Sequence, residues 1–173
     1  GALVASRAQM DAVGFVALGT VTGIGGGTVR DLLLDAHPLT WIEQPALLAA
    51  CVAVSLVVFF TAHLFQSRLR LILWADAIGL ALFATVGAER ALAHGAPPAV
   101  AIAMGGITAV AGGIVRDVLA GERSIIFARE LYITAALAAA AAFVALGSAG
   151  VPREGAVLAG VAAGLGLRAG ALA

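Results

Sequence analysis

The sequence has 173 residues, of which 62% are hydrophobic and only 12% charged, and its ten acidic side chains balance its ten basic ones. A mean hydropathy of +1.06 lies outside the usual range for soluble domains, so water is not the main solvent of this chain. The sequence contains neither a basic run nor a ladder of aromatic residues, which argues against a nucleic-acid partner.

Six apolar stretches predict membrane-spanning helices, because each approaches the ~20 residues that a helix needs to cross ~30 Å of hydrocarbon. Four of them carry no charge, the third along the chain is interrupted only by Asp76, and the last runs on through Arg168. The stretches cover residues 12–29, 46–65, 71–88, 98–115, 131–151 and 155–167. The predicted fold is an all-α membrane protein with a single transmembrane domain over residues 1–173.

An internal repeat relates the two halves of the chain. A shift of 86 residues superimposes the segment 22–33 on the segment 108–119 with seven identities in twelve positions and no gap. The second half contains three helices, at roughly 71–91, 97–120 and 128–147, whereas the first half shows only two complete ones. We therefore expect a further helix before Gly1, which is largely missing from this sequence.

With that helix restored, the architecture is two three-helix repeats, over 1–65 and 71–150, followed by a seventh helix over 152–173. Because each repeat has an odd number of helices, successive repeats enter the membrane from opposite sides, which is the inverted topology of many transport proteins. The positive-inside rule then places the N-terminus outside and the C-terminus in the cytoplasm. The arginines predicted on the cytoplasmic side are Arg7, Arg68, Arg70, Arg123, Arg129 and Arg168, against Arg90 and Arg153 outside.

Glycine runs lie inside two of the predicted spans, and a threonine precedes each run. Consecutive glycines weaken a helix, so we expect the backbone to bend or unwind there and to leave carbonyl groups facing a polar, cation-attracting cavity. Close helix packing through small residues is the alternative. The threonines either offer hydroxyls to a permeating ion or bond back to their own helix. These residues are Gly25, Gly26, Gly27, Gly112 and Gly113, with Thr22 and Thr108.

Arg30 and Arg116 follow the glycine runs at a depth where an unpaired charge costs at least ~2.5 kcal/mol. Neighbouring residues on a helix point in different directions, so we do not expect Asp31 and Asp117 to neutralise them. Their counter-ions are instead predicted on another helix. An alternative is that the charges only fix the helix register.

The predicted counter-ions are two acidic residues, one inside the span 71–88 and one directly after it. Asp76 lies at about the depth of Arg116, and Glu89, at the opposite end, is the remaining candidate for Arg30. Tyr132 opens a span and is interpreted as a helix-capping or interfacial residue.

The segments GGGTVRDLLL at 25–34, GGIVRDVLAG at 112–121 and ARELYITAAL at 128–137 resemble the bacterial and archaeal members of the trimeric intracellular cation (TRIC) channel family, a group also described as glycine transporters. The resemblance covers nearly the whole chain and departs from the family at the N-terminus. It implies a homotrimer in the prokaryotic inner membrane, surrounded by lipid, in which each subunit has its own hourglass pore for K⁺ and Na⁺.

Carried onto this sequence, the resemblance assigns the glycines to the pore-framing bends, and Arg30, Asp31, Arg116 and Asp117 to lining or bracing the path. It implies no cofactor. Animal relatives bind phosphoinositides between subunits, but this sequence shows no basic cluster dense enough to predict a lipid site.

The predicted function is a passive monovalent cation channel whose selectivity comes from carbonyl dipoles and from Asp31, Asp76 and Asp117. The arginines are expected to plug or gate the path, so neutralising Arg116 should alter the open probability. The alternative is a carrier for glycine or another small solute that uses the same inverted repeats with alternating access. An enzyme is disfavoured, because no Ser/His or His/Glu constellation occurs at usable spacing in the spans.

Overall fold

The computed structural model describes residues 11–65, 69–121 and 131–172, and all regular structure in those ranges is helical. Six long helices occupy the six predicted spans, and one short helix, which the sequence did not predict, lies between the first two. In chain order the helices are α1 (Ala12–Leu33), α2 (Thr40–Glu43), α3 (Pro45–Phe65), α4 (Leu69–Ala93), α5 (Pro98–Leu119), α6 (Leu131–Ser148) and α7 (Arg153–Leu172).

Local signals in the sequence set the helix ends. The side chain of Asp11 caps α1 by accepting a 2.7 Å hydrogen bond from the Gly14 backbone N–H. Pro98 opens α5, where its missing N–H leaves no donor unpaired. Residues in the left-handed backbone region follow α4 and α6, at Gly95 (φ 78°) and Gly150 (φ 82°), as is common after a helix.

The left-handed residues after α1 and α5 show the internal repeat directly. Asp35 (φ 52°) follows α1, and Gly121 (φ 65°) follows α5. The two positions are 86 residues apart, the same shift that superimposes the sequence motifs. The two helices therefore end in the same way, one with aspartate and the other with glycine.

Helix α5 is the centre of the bundle, since it packs against α1, α4 and α6, whereas α7 packs against α4 and α6, and α3 packs on α1. The interior between α4, α5, α6 and α7 is built mainly from alanine, including Ala84, Ala88, Ala135, Ala139 and Ala140, none of which is exposed. Side chains of this size let helix backbones approach closely, which is how spanning helices associate in lipid.

Length and apolarity mark α1 and α5 as helices able to cross a membrane, and α3 and α6 contain shorter apolar segments, Pro45–Thr61 and Tyr132–Ser148. The remaining long helices, α4 and α7, carry charged residues inside their spans. Of these charges, Asp76 lines the site described next, and Arg168 lies 3.6 Å from Asp76.

Candidate functional site

The glycine runs form the contact between α1 and α5. A Cβ atom at Gly26 would overlap the Thr108 carbonyl oxygen and lie 3.0 Å from its carbonyl carbon, and one at Gly112 would overlap the Thr22 carbonyl oxygen. The contact is reciprocal. Gly26 faces Thr108, which lies one turn before Gly112, and Gly112 faces Thr22, which lies one turn before Gly26. Without side chains at these two positions, the helix backbones touch.

Both helices remain α-helical through the glycine runs. Of the predicted bend or unwinding, the unwinding is therefore wrong, and the reciprocal contacts support close packing through small residues. Glycine is needed because a carbonyl group of the partner helix occupies the space of the missing side chain.

The threonine hydroxyls bond back to their own helices. Thr22 Oγ1 donates to the Leu18 carbonyl and Thr108 Oγ1 to the Met104 carbonyl, both at 2.6 Å. Each hydroxyl oxygen keeps acceptor capacity after donating its proton, so the bond does not prevent it from meeting a cation.

A cavity of about 100 Å³ lies beside the crossing of α1 and α5, against α4 and α6. Because one water needs roughly 10–15 Å³ of such space, the cavity is large enough to hold several water molecules. The polar and glycine residues around it are Thr22, Gly23, Gly26, Gly27, Asp76, Gly79, Thr108, Gly112, Gly113, Arg116 and Tyr132. Of the residues singled out from the sequence, Gly25, Arg30, Asp31, Glu89 and Asp117 do not line it.

In each of the two motifs, the arginine binds the aspartate that follows it on the same helix. Arg30 donates from Nε at 2.8 Å and from Nη2 at 2.5 Å to Asp31 Oδ1. Arg116 and Asp117 repeat this geometry at 2.8 and 2.7 Å. The prediction that adjacent residues would not pair is wrong, because the long arginine side chain reaches around the helix and brings two donors to one carboxylate oxygen.

The first pair also holds α2 in place. The Thr40 backbone N–H donates to Asp31 Oδ2 at 2.8 Å, and Arg30 Nη2 donates to Thr40 Oγ1 at 2.9 Å. The Trp41 indole N–H donates to Thr28 Oγ1 at 3.1 Å. Arg30 and Asp31 thus brace the connection between α1 and α3 at the end of the bundle opposite Asp76.

The two acids of α4 pair with α7, so both counter-ion predictions are wrong. Arg168 Nη2 lies 3.6 Å from Asp76 Oδ2. At the other end, Arg153 Nη2 donates to Glu89 Oε2 at 3.0 Å. Helix α7 lies outside the repeat, so the internal symmetry contained no information about these partners.

Two residues that sequence reasoning placed elsewhere belong to this site. The side chain of Arg168 is only 2% exposed and lies 3.6 Å from Asp76, so it is a buried, paired charge rather than an exposed one. Its guanidinium carbon lies 5.0 Å from the centre of the Tyr132 ring, and Tyr132 is buried and lines the cavity. The cost of an arginine inside an apolar span was the signal that it needed a partner. The other predicted flanking bases, Arg7, Arg68, Arg70, Arg123 and Arg129, lie outside the residues whose side chains the structure describes.

Comparison with known proteins identifies the family. The sequence model of the family described as "Glycine transporter" matches residues 1–63 and 73–148. The UPF0126 inner membrane protein YadS of Escherichia coli K12 is 41% identical over 141 residues, which are 79% of this chain and 67% of YadS. A UPF0126 membrane protein of Vibrio cholerae is 38% identical over 176 residues, covering 99% of this chain and 72% of its own length.

Comparison with solved structures also identifies the family. The TRIC trimeric intracellular cation channel orthologue from Rhodobacter sphaeroides is 59% identical, with a TM-score of 0.93 over 99% of this chain and 88% of its own. The chain belongs to the prokaryotic TRIC channel family. A second TRIC structure, described as showing the basis for conductance through TRIC cation channels, is 33% identical with a TM-score of 0.90 over 99% of this chain and 85% of its own.

Membership of the TRIC family confirms the resemblance read from the glycine and Arg-Asp motifs, and with it the prediction of an all-α membrane protein. The solved TRIC structures are channels and not enzymes. The chain is therefore a membrane protein.

Proposed function

We propose that this TRIC family member is a channel for the monovalent cations K⁺ and Na⁺, with one passage in each subunit. The observation that carries the proposal is the cavity at the crossing of α1 and α5, whose wall includes Asp76, Arg116, Tyr132 and two threonines. An ion that enters a cavity of this size sheds part of its hydration water. Oxygen atoms of the wall must then replace that water.

The charges around the cavity favour a cation. Arg116 lines it, but Asp117 Oδ1 lies 2.7 Å from Arg116 Nη2 and offsets its charge. Asp76 is the carboxylate among the described residues that line it, and its side chain is 36% exposed. The Thr22 and Thr108 hydroxyl oxygens add neutral ligands. Negative potential from Asp76 and these oxygens selects cations over anions.

The relatives support the rest of the proposal. The Rhodobacter sphaeroides orthologue is described as trimeric, and we expect a homotrimer here, embedded in lipid of the inner membrane, where YadS is located. With Arg168 paired inside the bundle, five arginines remain on the predicted cytoplasmic side against Arg90 and Arg153 on the other, so the expected orientation is unchanged. The Asp76 end of the cavity then faces the cytoplasm.

Purified protein in a planar bilayer under a KCl gradient tests the proposal. We expect unitary currents that reverse near the K⁺ equilibrium potential and persist when Na⁺ replaces K⁺. Reversal near the chloride potential, or the absence of unitary steps from protein that remains trimeric, would contradict it. Cross-linking in detergent checks the assembly, since a trimer gives a band at three times the monomer mass.

The description of the family as glycine transporters favours a second candidate, a carrier for glycine or another small solute. Inverted repeats also serve alternating access. Vesicles containing the protein would then take up labelled glycine with saturation and would exchange it for internal unlabelled glycine. A channel shows neither behaviour, so the flux assay and the bilayer recording separate the two functions.

A further inference from the structure

The Asp76 end of the cavity contains a cluster of three side chains from three helices, Asp76 of α4, Tyr132 of α6 and Arg168 of α7, which we name the Asp76 cluster. We propose that Asp76 binds the permeant cation and that Arg168 is a fixed counter-charge that weakens this binding enough for the ion to leave. The inference rests on the proposed function in taking the bound ion to be the permeant one.

The two charged groups of the cluster differ in their access to the cavity. The Asp76 side chain is 36% exposed and lines the cavity, whereas Arg168 is 2% exposed and lies behind it. Their separation of 3.6 Å exceeds the ~2.7–2.9 Å of a charge-assisted hydrogen bond. Arg168 therefore lowers the negative potential of the carboxylate without donating a short hydrogen bond to its oxygens.

Arg168 is held by packing rather than by hydrogen bonds. Its Nε atom is buried without a hydrogen-bond partner. The guanidinium lies over the Tyr132 ring at 5.0 Å, within the range of a cation–π interaction. One turn earlier on α7, a Cβ atom at Gly164 would lie 2.9 Å from Ala81 Cβ and 3.0 Å from Ala139 Cβ, so α7 is in close contact with α4 and α6. This contact fixes the distance of the guanidinium from Asp76.

The other charge of the cavity wall does not compete for Asp76, because Arg116 binds Asp117 through both Nε and Nη2. Tyr132 also interacts with the Asp76 carboxylate. Among the residues whose side chains the structure describes, Arg168 is the arginine that pairs with Asp76.

A conduction site must bind its ion well enough to attract it and weakly enough to release it. A positive charge held one side chain away from the bound ion changes its affinity on the order of tenfold at the effective dielectric of a water-containing site. Removing the Arg168 charge should therefore lower the K⁺ concentration that gives half-maximal conductance on the order of tenfold, which corresponds to about 1.4 kcal/mol.

The experiment compares conductance against K⁺ concentration for the wild type, R168Q, R168K and D76N. R168Q should reach half-saturation at a K⁺ concentration on the order of tenfold lower than the wild type. R168K, which keeps the charge, should stay near the wild type. D76N should lose much of its selectivity for K⁺ over Cl⁻. R153Q is the matched control, because it removes an arginine of the same helix from an exposed pair with Glu89. It should leave half-saturation unchanged. Equal half-saturation in R168Q and the wild type would overturn the inference.

A second measurement does not depend on conduction. An ion that binds the folded state raises the melting temperature by mass action, so each detergent-solubilised protein is melted while KCl replaces N-methylglucamine chloride at constant ionic strength. The K⁺-dependent rise should occur at lower K⁺ in R168Q and disappear in D76N. If the rise persists in D76N, the cation site is refuted even if R168Q does not fold. A wild type that shows the rise but carries no unitary current would refute the channel and leave the Asp76 site standing.

Discussion

Replacing Gly26 with alanine tests the contact on which the cavity depends. The added methyl group would overlap the Thr108 carbonyl oxygen and lie 3.0 Å from the carbonyl carbon. The obstacle is backbone of α5, which cannot rotate away as a side chain can, so α1 and α5 must separate. Overpacking of this kind costs about 1–3 kcal/mol, and alanine regains about 1 kcal/mol of helix propensity.

The expected net loss is therefore about 0–2 kcal/mol, which lowers the melting temperature of a chain of this size by up to about 8 °C. Thermal unfolding in detergent, followed by circular dichroism or by the loss of monodisperse protein, measures the change. Gly166→Ala in α7 is the control, because no atom lies within 4 Å of the added methyl group there. If G26A melts at the same temperature as G166A or higher, the helices do not touch at Gly26 and the account of the crossing fails.

Three further predictions follow from individual contacts. Gly79→Ala adds a methyl group to the cavity wall, where no atom lies within 4 Å of it. The variant should therefore fold like G166A but show a lower unitary conductance in a bilayer. Unchanged conductance would place the ion path elsewhere. Arg116→Gln leaves the buried Asp117 without its arginine and should cost about 3–5 kcal/mol, with the double variant R116Q/D117N melting higher than the single one. Thr40→Ala removes the acceptor of an Arg30 hydrogen bond and should cost about 1–2 kcal/mol in the same melting assay, whereas no change would show that the α2 connection does not depend on that bond.

The spanning helices could be predicted because apolarity and helix-ending residues are local properties of the sequence. The predicted spans agree with the observed helices to within a few residues at most ends, and the shift of 86 residues recurs in the reciprocal glycine contacts and in Asp35 and Gly121. The short helix α2 was missed, because Asp31 and Arg30 stabilise it from outside its own four residues.

The ion pairs could not be predicted, because the rotation of one helix against another depends on packing that a single sequence does not specify. Hydropathy gave the depth of Arg116 and Asp76 in the membrane, but depth alone does not choose between partners on α4, α5 and α7. Arg168 was also misplaced. Its position near the C-terminus suggested a flanking charge, whereas the close contact of Gly164 with α4 and α6 buries it beside Asp76.

The reciprocal contact between Gly26 and Thr108, and between Gly112 and Thr22, limits how the duplicated halves can evolve. Elsewhere each half has changed on its own, as shown by aspartate at 35 where the second half has glycine at 121. At the crossing, each half supplies the surface into which the other fits. A larger residue at Gly26 or Gly112 meets a backbone carbonyl of the other half, which no substitution at Thr108 or Thr22 removes, so both positions must remain glycine while the helices keep this separation.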